Sequence, residues 1–345
     1  MDTMSRSGQR SAVSAPCLTT TPTTRPGTAV IRAVARYGVR YGYAPFMLIG
    51  VNGVAIALVT TGAADGVGKV WLLALLGLAV ACSFTAERIL PYQGAWNTPH
   101  GDDRRDVAHA VVNETLTLGS VALLPALAVL IPGDGIWPTS WPFALQVLMA
   151  VLVADAGITL VHYASHKIGW LWRLHAVHHS VRRCYGFNGL MKHPAHQTLE
   201  TAAGVTPLLL LGLPLNVAIS LALAVAVQLL LQHSNVDDRV GPLKHVLALN
   251  EGHRFHHLKW AGVGDVNFGL FTLLWDHALR TYSYDSSRRF TTEDLGMAAK
   301  PRYPDGYLAQ LAEPFRPSGA CTTTGTATSS ETGAEAATAP ASGRS

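Results

Sequence analysis

The chain has 345 residues, of which 49% are hydrophobic and only 14% are charged, and its formal net charge is +4. Soluble globular proteins carry about 25% charged residues, so this composition argues against an ordinary water-soluble chain and indicates that lipid forms part of its solvent. The small net charge, without a cluster of Lys and Arg among aromatic residues, argues against nucleic acid as a partner.

Both ends of the chain have the composition of disordered segments. Residues 1–28 are rich in Ser, Thr and Arg, and residues 317–345 repeat Thr, Ala, Gly and Ser. Such segments cannot bury enough apolar surface to fold. We therefore expect a disordered basic segment over 1–43, transmembrane helices over 44–142, a histidine-rich region over 143–285, and a C-terminal segment over 286–345 that is disordered from about 317.

Four apolar segments are predicted to cross a membrane as helices: residues 44–64, 70–85, 106–132 and 143–163. A hydrocarbon core about 30 Å thick needs ~20 helical residues. A fifth apolar stretch, 201–232, is interrupted by Gly212 and Pro214 and is short for two crossings, so it predicts a tight or re-entrant helical hairpin. The fold class is therefore all-α, a polytopic membrane helical bundle.

Lysine and arginine placement predicts the orientation of this bundle. Arg32, Arg36 and Arg40 precede the first span, and more basic residues follow the second and fourth spans. Because cytoplasmic loops are enriched in Lys and Arg, the N-terminus is expected in the cytoplasm. The same orientation places the histidine-rich region at the cytoplasmic face, as a helical cap on the bundle.

Histidine is the unusual residue type, with fifteen copies in the chain. Residues three or four apart share one face of a helix, so each of three clusters directs its imidazoles to one side. Imidazole suits Fe, Zn, Cu and Ni, and eight nitrogens exceed what one four-coordinate metal needs. Two metals are the simplest interpretation. The clusters comprise His162 and His166, then His175, His178 and His179, and finally His253, His256 and His257.

Four further residues are candidates for the same site. Asp155 precedes His162 by two helical turns, and a carboxylate at this depth needs a partner, such as the N–H of a ligating histidine. His233 directly follows the apolar hairpin, and His193 and His196 lie between the second cluster and that hairpin. Any of the three histidines could complete a metal site.

Two other functions compete with redox chemistry at this stage. A zinc-dependent membrane hydrolase would need one metal with an open position and a nearby base, but the chain has no HExxH motif. A metal transporter would need polar ligands in mid-span, whereas these histidines gather after the spans.

The order HxxxH, HxxHH, HxxHH on a membrane protein resembles the fatty acid hydroxylase/sterol desaturase superfamily. The resemblance covers about residues 145–285 and extends beyond the histidines. Segments similar to the family's motifs are Trp170–His175, His193-Pro194, Gln232–Asn235, Asn267–Gly269 and Trp275-Asp276. The chain departs from the family after Asp276, where it continues His277-Ala-Leu-Arg-Thr281, and at Met191, where relatives often carry Arg.

This resemblance implies a di-iron oxygenase that uses O₂ to hydroxylate a C–H bond of a lipid, with desaturation as an alternative outcome. It implies two Fe ions held by the eight clustered histidines, with His233 as a ninth ligand and His193 or His196 as a tenth. It implies Asp155 and Asp276 as the carboxylates that support catalysis. Electrons are expected from a separate protein, a ferredoxin or a cytochrome b5 type donor with its reductase, because the chain has no His-Pro-Gly-Gly sequence.

Overall fold

The computed structural model describes residues 26–63, 70–130 and 135–317. The disorder expected for residues 1–25 and from 318 onward lies outside the described residues. Within the described ranges every regular element is helical, and β-type pairing is limited to three isolated bridges. The prediction of an all-α fold is confirmed.

Eleven α-helices are numbered here in chain order. The longer ones are α1 (Pro26–Pro45), α2 (Asn52–Thr60), α3 (Val70–Ile89), α4 (Asp103–Ala128), α5 (Phe143–Lys167), α6 (Gly169–His179), α7 (Pro194–Leu210) and α8 (Leu215–His233). Three short helices follow: α9 (Asn250–His256), α10 (Leu274–Leu279) and α11 (Tyr307–Ala312). Five helical segments are long and apolar enough to cross a membrane, namely 27–60, 70–89, 103–127, 143–167 and 215–233. The chain is a multi-pass membrane protein.

The first membrane helix begins much earlier than the sequence indicated. α1 carries the three arginines and continues through a π-helical turn, Phe46–Val51, into α2. This turn follows Pro45, whose ring removes a backbone N–H and crowds the preceding turn. The expectation of disorder over 1–43 is therefore wrong for residues 26–43, which are helical.

The apolar stretch 201–232 forms a helical hairpin with a short turn, in agreement with the prediction of a tight hairpin. Its helices, α7 and α8, have 17 and 19 residues, and they are joined at Gly212, which adopts φ 87°. At the tip, the backbone N–H of Ile136 donates to the carbonyl of Leu211 at 3.1 Å. Ile136 lies in the connection before α5, so the tip reaches the end of α5 opposite the histidines.

Helix α8 is the centre of the bundle, and nearly all of its residues are buried. One face contributes Leu223 and Val227 to a core shared with the first membrane helix and α3. Another face contributes Leu221 and Ala224 to a core shared with α5. By contrast, the outer faces of the neighbouring helices expose large apolar side chains, including Leu73, Val111, Leu123, Leu148 and Leu152. Such a belt is what a lipid-facing surface requires.

A cap of short helices and loops covers the ends of α5 and α8. Arg183 ties this cap to the bundle, because its guanidinium donates to both carboxylate oxygens of Asp102, just before α4, at 2.8 and 2.7 Å. The cap encloses the histidines and positions the candidate site.

Candidate metal centre

Five imidazoles form the first of two groups. His162 and His166 come from the end of α5, His175 and His179 from α6, and His256 from α9, and one ring nitrogen of each lies within 4.8 Å of the others. The Nε2 atoms of His162 and His256 are 2.9 Å apart, and those of His175 and His179 are 3.1 Å apart. Segments distant in the chain therefore converge on one point.

Four imidazoles form the second group: His178, His233, His253 and His257. The Nε2 atom of His233 lies 3.1 Å from the Nε2 atoms of both His253 and His257, and 3.3 Å from that of His178. His233 is therefore placed as a ninth candidate ligand, at the end of α8 where the hairpin returns. Both groups lie at the same end of the bundle.

The contacts of the Nδ1 atoms show which of the two ring nitrogens carries the hydrogen. Nδ1 of His162 contacts the carbonyl oxygen of Phe268 at 2.8 Å, and Nδ1 of His256 contacts that of Val266 at 2.9 Å. A carbonyl oxygen only accepts, so Nδ1 must donate, and a neutral imidazole then has a bare lone pair on Nε2. Burial, together with the charge of nearby His166, holds the pKa of His256 well below its ordinary value, which keeps the ring neutral.

Two bare lone pairs therefore face each other in the first group, only 2.9 Å apart. The second group repeats the arrangement, because Nδ1 of His178 donates to the carbonyl of Met191 and Nδ1 of His233 donates to that of Leu229. Facing lone pairs repel each other unless a cation lies among them. The donor set thus fits two metal ions of the kind that imidazole prefers.

Asp265 is a site residue that the sequence analysis missed. Its Oδ1 accepts from Nδ1 of His166 at 2.9 Å, and its Oδ2 accepts from Nζ of Lys167 at 3.2 Å. The hydrogen bond from His166 is the main reason that the pKa of this carboxyl falls to about 2. Because Asp265 lies in a loop, no helical spacing relates it to His166, and only the fold brings them together.

Asp155 does not contact a histidine, so the expectation that it accepts an N–H from a ligating ring is wrong. Its oxygens accept hydrogen bonds from the backbone N–H groups of Leu270, Phe271 and Thr272 and from the Thr272 hydroxyl. Asp276 likewise accepts from the backbone N–H groups of Phe268 and Gly269. The two carboxylates hold the 268–272 loop, whose Phe268 carbonyl orients His162; they are positioning residues.

His193 and His196, the two histidines predicted as alternative tenth ligands, have different surroundings. His193 lies outside both groups, since its Nδ1 accepts from the backbone N–H of Ala195 and its Nε2 contacts the Leu311 carbonyl. His196 instead forms a third small group with His175 and Glu200. Glu200 is 3% exposed and accepts from Nζ of Lys192 at 2.6 Å.

Two cavities flank the histidines. On the membrane side, an apolar cavity of about 60 Å³ lies among α4, α5, α7 and α8, and Glu200 and Lys192 line it. On the cap side, a wide cleft reaches His166, His179 and His256. Two carboxylates in its lining, Asp265 and Glu313, pair with three of its basic residues. The basic residues of the lining are Lys167, Arg173, Lys259, Lys300 and Arg316. Trp172 lines this cleft and its ring stands 5.0 Å from that of His166.

Comparison with known proteins agrees with this arrangement. A family model described as fatty acid hydroxylase matches residues 147–281. The ornithine lipid hydroxylase OlsE of Rhizobium tropici is 33% identical over 258 residues, which cover 71% of this chain and 76% of that protein. Alkylglycerol monooxygenases of Danio rerio and Homo sapiens are 27% and 24% identical over 152 residues, 44% of this chain and 33% of each relative. No solved structure is significantly similar to the chain.

Proposed function

Because the chain belongs to the fatty acid hydroxylase family, we propose that it hydroxylates a C–H bond of a membrane lipid with O₂, using two iron ions held by nine histidines. The observation that carries this proposal is the pair of histidine groups in which bare Nε2 lone pairs face each other. One oxygen atom enters the C–H bond and the other leaves as water, so each turnover consumes two electrons and two protons from outside the lipid.

The irons would supply the oxidising power that an inert C–H bond requires. The protein's own contribution is to fix the ligands and to keep the site dry. The backbone carbonyls of Phe268, Val266 and Met191 hold three rings in one tautomer, and Asp265 holds His166. Burial of most of the clustered rings limits water at the centre to the side of the cleft, which reaches His166, His179 and His256.

The substrate that we infer is an amphiphilic lipid whose hydrocarbon part occupies the apolar cavity. The walls of this cavity are mostly Leu, Val, Ile and Ala, the kind of lining that sites for apolar ligands have. The names of the relatives support this class, since ornithine lipids and alkylglycerols both combine a polar group with a hydrocarbon chain.

The electron donor that we infer is a separate acidic protein of the ferredoxin or cytochrome b5 type. The cap-side cleft supports a site for it, because it reaches three candidate ligand histidines and its five basic side chains outnumber its two carboxylates, Asp265 and Glu313. Complementary charge raises association rates and orients the partners. The basic residues of α1 support the orientation in which this face lies in the cytoplasm.

The decisive experiment uses cells that express the full chain under ¹⁸O₂, followed by untargeted mass spectrometry of lipids and metal analysis of the purified protein. We expect a lipid that gains one labelled oxygen and two irons per chain, and the His178→Ala variant should lose both. His245→Ala, which changes an exposed histidine outside the groups, is the control and should keep both.

Other results would redirect the interpretation. A lipid that loses two hydrogens and gains no label would indicate the desaturase alternative. One zinc per chain with activity that does not need O₂ would indicate a hydrolase. A fully active His178→Ala variant would overturn the ligand assignment.

A further inference from the structure

One buried polar group in the apolar cavity has no partner. Gln197, on α7, lines the cavity and is 5% exposed. Its Oε1 atom has no hydrogen-bond partner among the described residues. A buried acceptor without a donor costs about 1–3 kcal/mol, so such atoms are rare and usually meet a ligand or water.

Hydrogen bonding fixes which end of the Gln197 amide is free. The hydroxyl of Thr117, on α4, donates to the Asn113 carbonyl at 3.0 Å, so its only hydrogen is already used. Thr117 can therefore only accept, and the Gln197 amide nitrogen faces it at 3.5 Å. This contact assigns the amide nitrogen to the Thr117 side and leaves Oε1 as the end without a partner.

The neighbouring polar residues do not contact Oε1 of Gln197. Nζ of Lys192 donates to Glu200 at 2.6 Å in a buried ion pair. Nε2 of His196 contacts the Ser165 hydroxyl on the other side of α7, at 2.9 Å. Gln197 thus presents an acceptor in the part of the cavity wall that adjoins the third histidine group.

We propose that Oε1 of Gln197 accepts a hydrogen bond from an N–H or O–H group of the lipid, so that the substrate is a lipid with an amide or hydroxyl group close to the carbon that is oxidised. Esters and plain hydrocarbons lack this donor and leave the acceptor unpaired. This inference rests on the proposed function, because it treats the cavity as the substrate site. Gln197 is here a specificity-determining residue that contacts the lipid but no metal.

The test compares four probes with the same sixteen-carbon chain: N-methylhexadecanamide, hexadecan-1-ol, methyl hexadecanoate and hexadecane. Their dissociation constants are measured on the metal-loaded protein in detergent, by displacement of a radiolabelled amide probe and without turnover. We expect the wild-type protein to bind the amide or the alcohol about 10- to 100-fold more tightly than the ester, as one unpaired acceptor predicts. Tighter binding of the amide than of the alcohol indicates an amide-bearing substrate, and the reverse order indicates a hydroxyl-bearing one.

The variant Gln197→Leu keeps the approximate size of the side chain and removes the acceptor. The ratio of the dissociation constants of the ester and the donor-bearing probe should therefore fall to about one. Thr198→Val, on the exposed side of α7, is the matched control and should keep the wild-type preference. Equal binding of all four probes by the wild-type protein, binding of none, or an unchanged preference in Gln197→Leu overturns the inference. A failure of the proposed function would instead appear in the ¹⁸O₂ labelling and the metal content, which this binding assay does not measure.

Discussion

The tautomers of single histidines support the proposal that this centre holds metal and is more than a packed cluster of polar rings. Each Nδ1 that donates to a carbonyl leaves Nε2 available as a ligand, and the arrangement recurs at His162, His178, His233 and His256. The partners of Nδ1 are mostly backbone atoms, which no substitution can remove. Asp265 is the exception, since it orients His166 through a side chain.

Asp265→Asn should therefore weaken metal binding without removing a ligand. The carboxylate makes His166 a better ligand and fixes its ring, and loss of such a partner typically costs 10- to 100-fold in metal affinity. The measurement is the metal retained after dialysis against graded chelator. Asp285→Asn, at an exposed position, should behave as the wild type does. Equal retention by Asp265→Asn would show that the His166 contact is incidental.

At the scale of elements, the distance between α5 and α7 shapes the cavity. Gly157 lies where these helices approach most closely, because a Cβ atom there would stand 2.2 Å from the Ala203 carbonyl oxygen. On the facing helix, Gly204 would place its Cβ 3.1 Å from the side chain of Ile158. Ile158 and Gly204 both line the cavity, so this contact sets the separation of its walls.

Gly157→Ala should force α7 away from α5 and cost about 1–3 kcal/mol, as overpacking of a close contact does. We expect a lower melting temperature in detergent and reduced lipid hydroxylation. Gly77→Ala on α3 is the matched control, because a Cβ there meets nothing within 4 Å and alanine favours the helix. A melting temperature for Gly157→Ala equal to that of Gly77→Ala would contradict the close approach.

At the scale of the whole molecule, the topology brings all nine candidate ligands to one end of the bundle. α5 and α8 both end there with ligand candidates, and α6 and α9 supply most of the other rings. The connection before α5 and the tip of the hairpin lie together at the opposite end. The molecule therefore has two faces with different chemistry.

The proposed orientation makes these two faces distinguishable in intact cells. Single cysteines are introduced at Thr139, exposed before α5, and at Ser286, exposed in the cap, in a background with all four native cysteines replaced by alanine: Cys17, Cys82, Cys184 and Cys321. A membrane-impermeant maleimide should label Thr139→Cys in intact cells and Ser286→Cys only after lysis. The reverse pattern would place the histidines outside the cytoplasm.

Much of this architecture could be predicted from the sequence because it depends on local chemistry. Apolar runs of sufficient length predict membrane helices, and histidines at helical spacing predict a shared ligand face. The prediction was wrong where a local pattern was ambiguous. The arginines of α1 suggested a solvated tail over 26–43, yet the same residues continue the first membrane helix.

The sequence by itself determined the helical class, the membrane setting and the identity of the clustered histidines, because periodicity and residue type are properties of the chain. Only the tertiary structure decided how nine rings divide into two groups and that Asp265 accepts a hydrogen bond from His166. It also decided that Asp155 bonds the backbone of the 268–272 loop and not a histidine ring. It also placed Gln197 in an apolar cavity without a donor. These contacts join residues far apart in the chain, and their distances depend on how helices pack, which no spacing within one segment records.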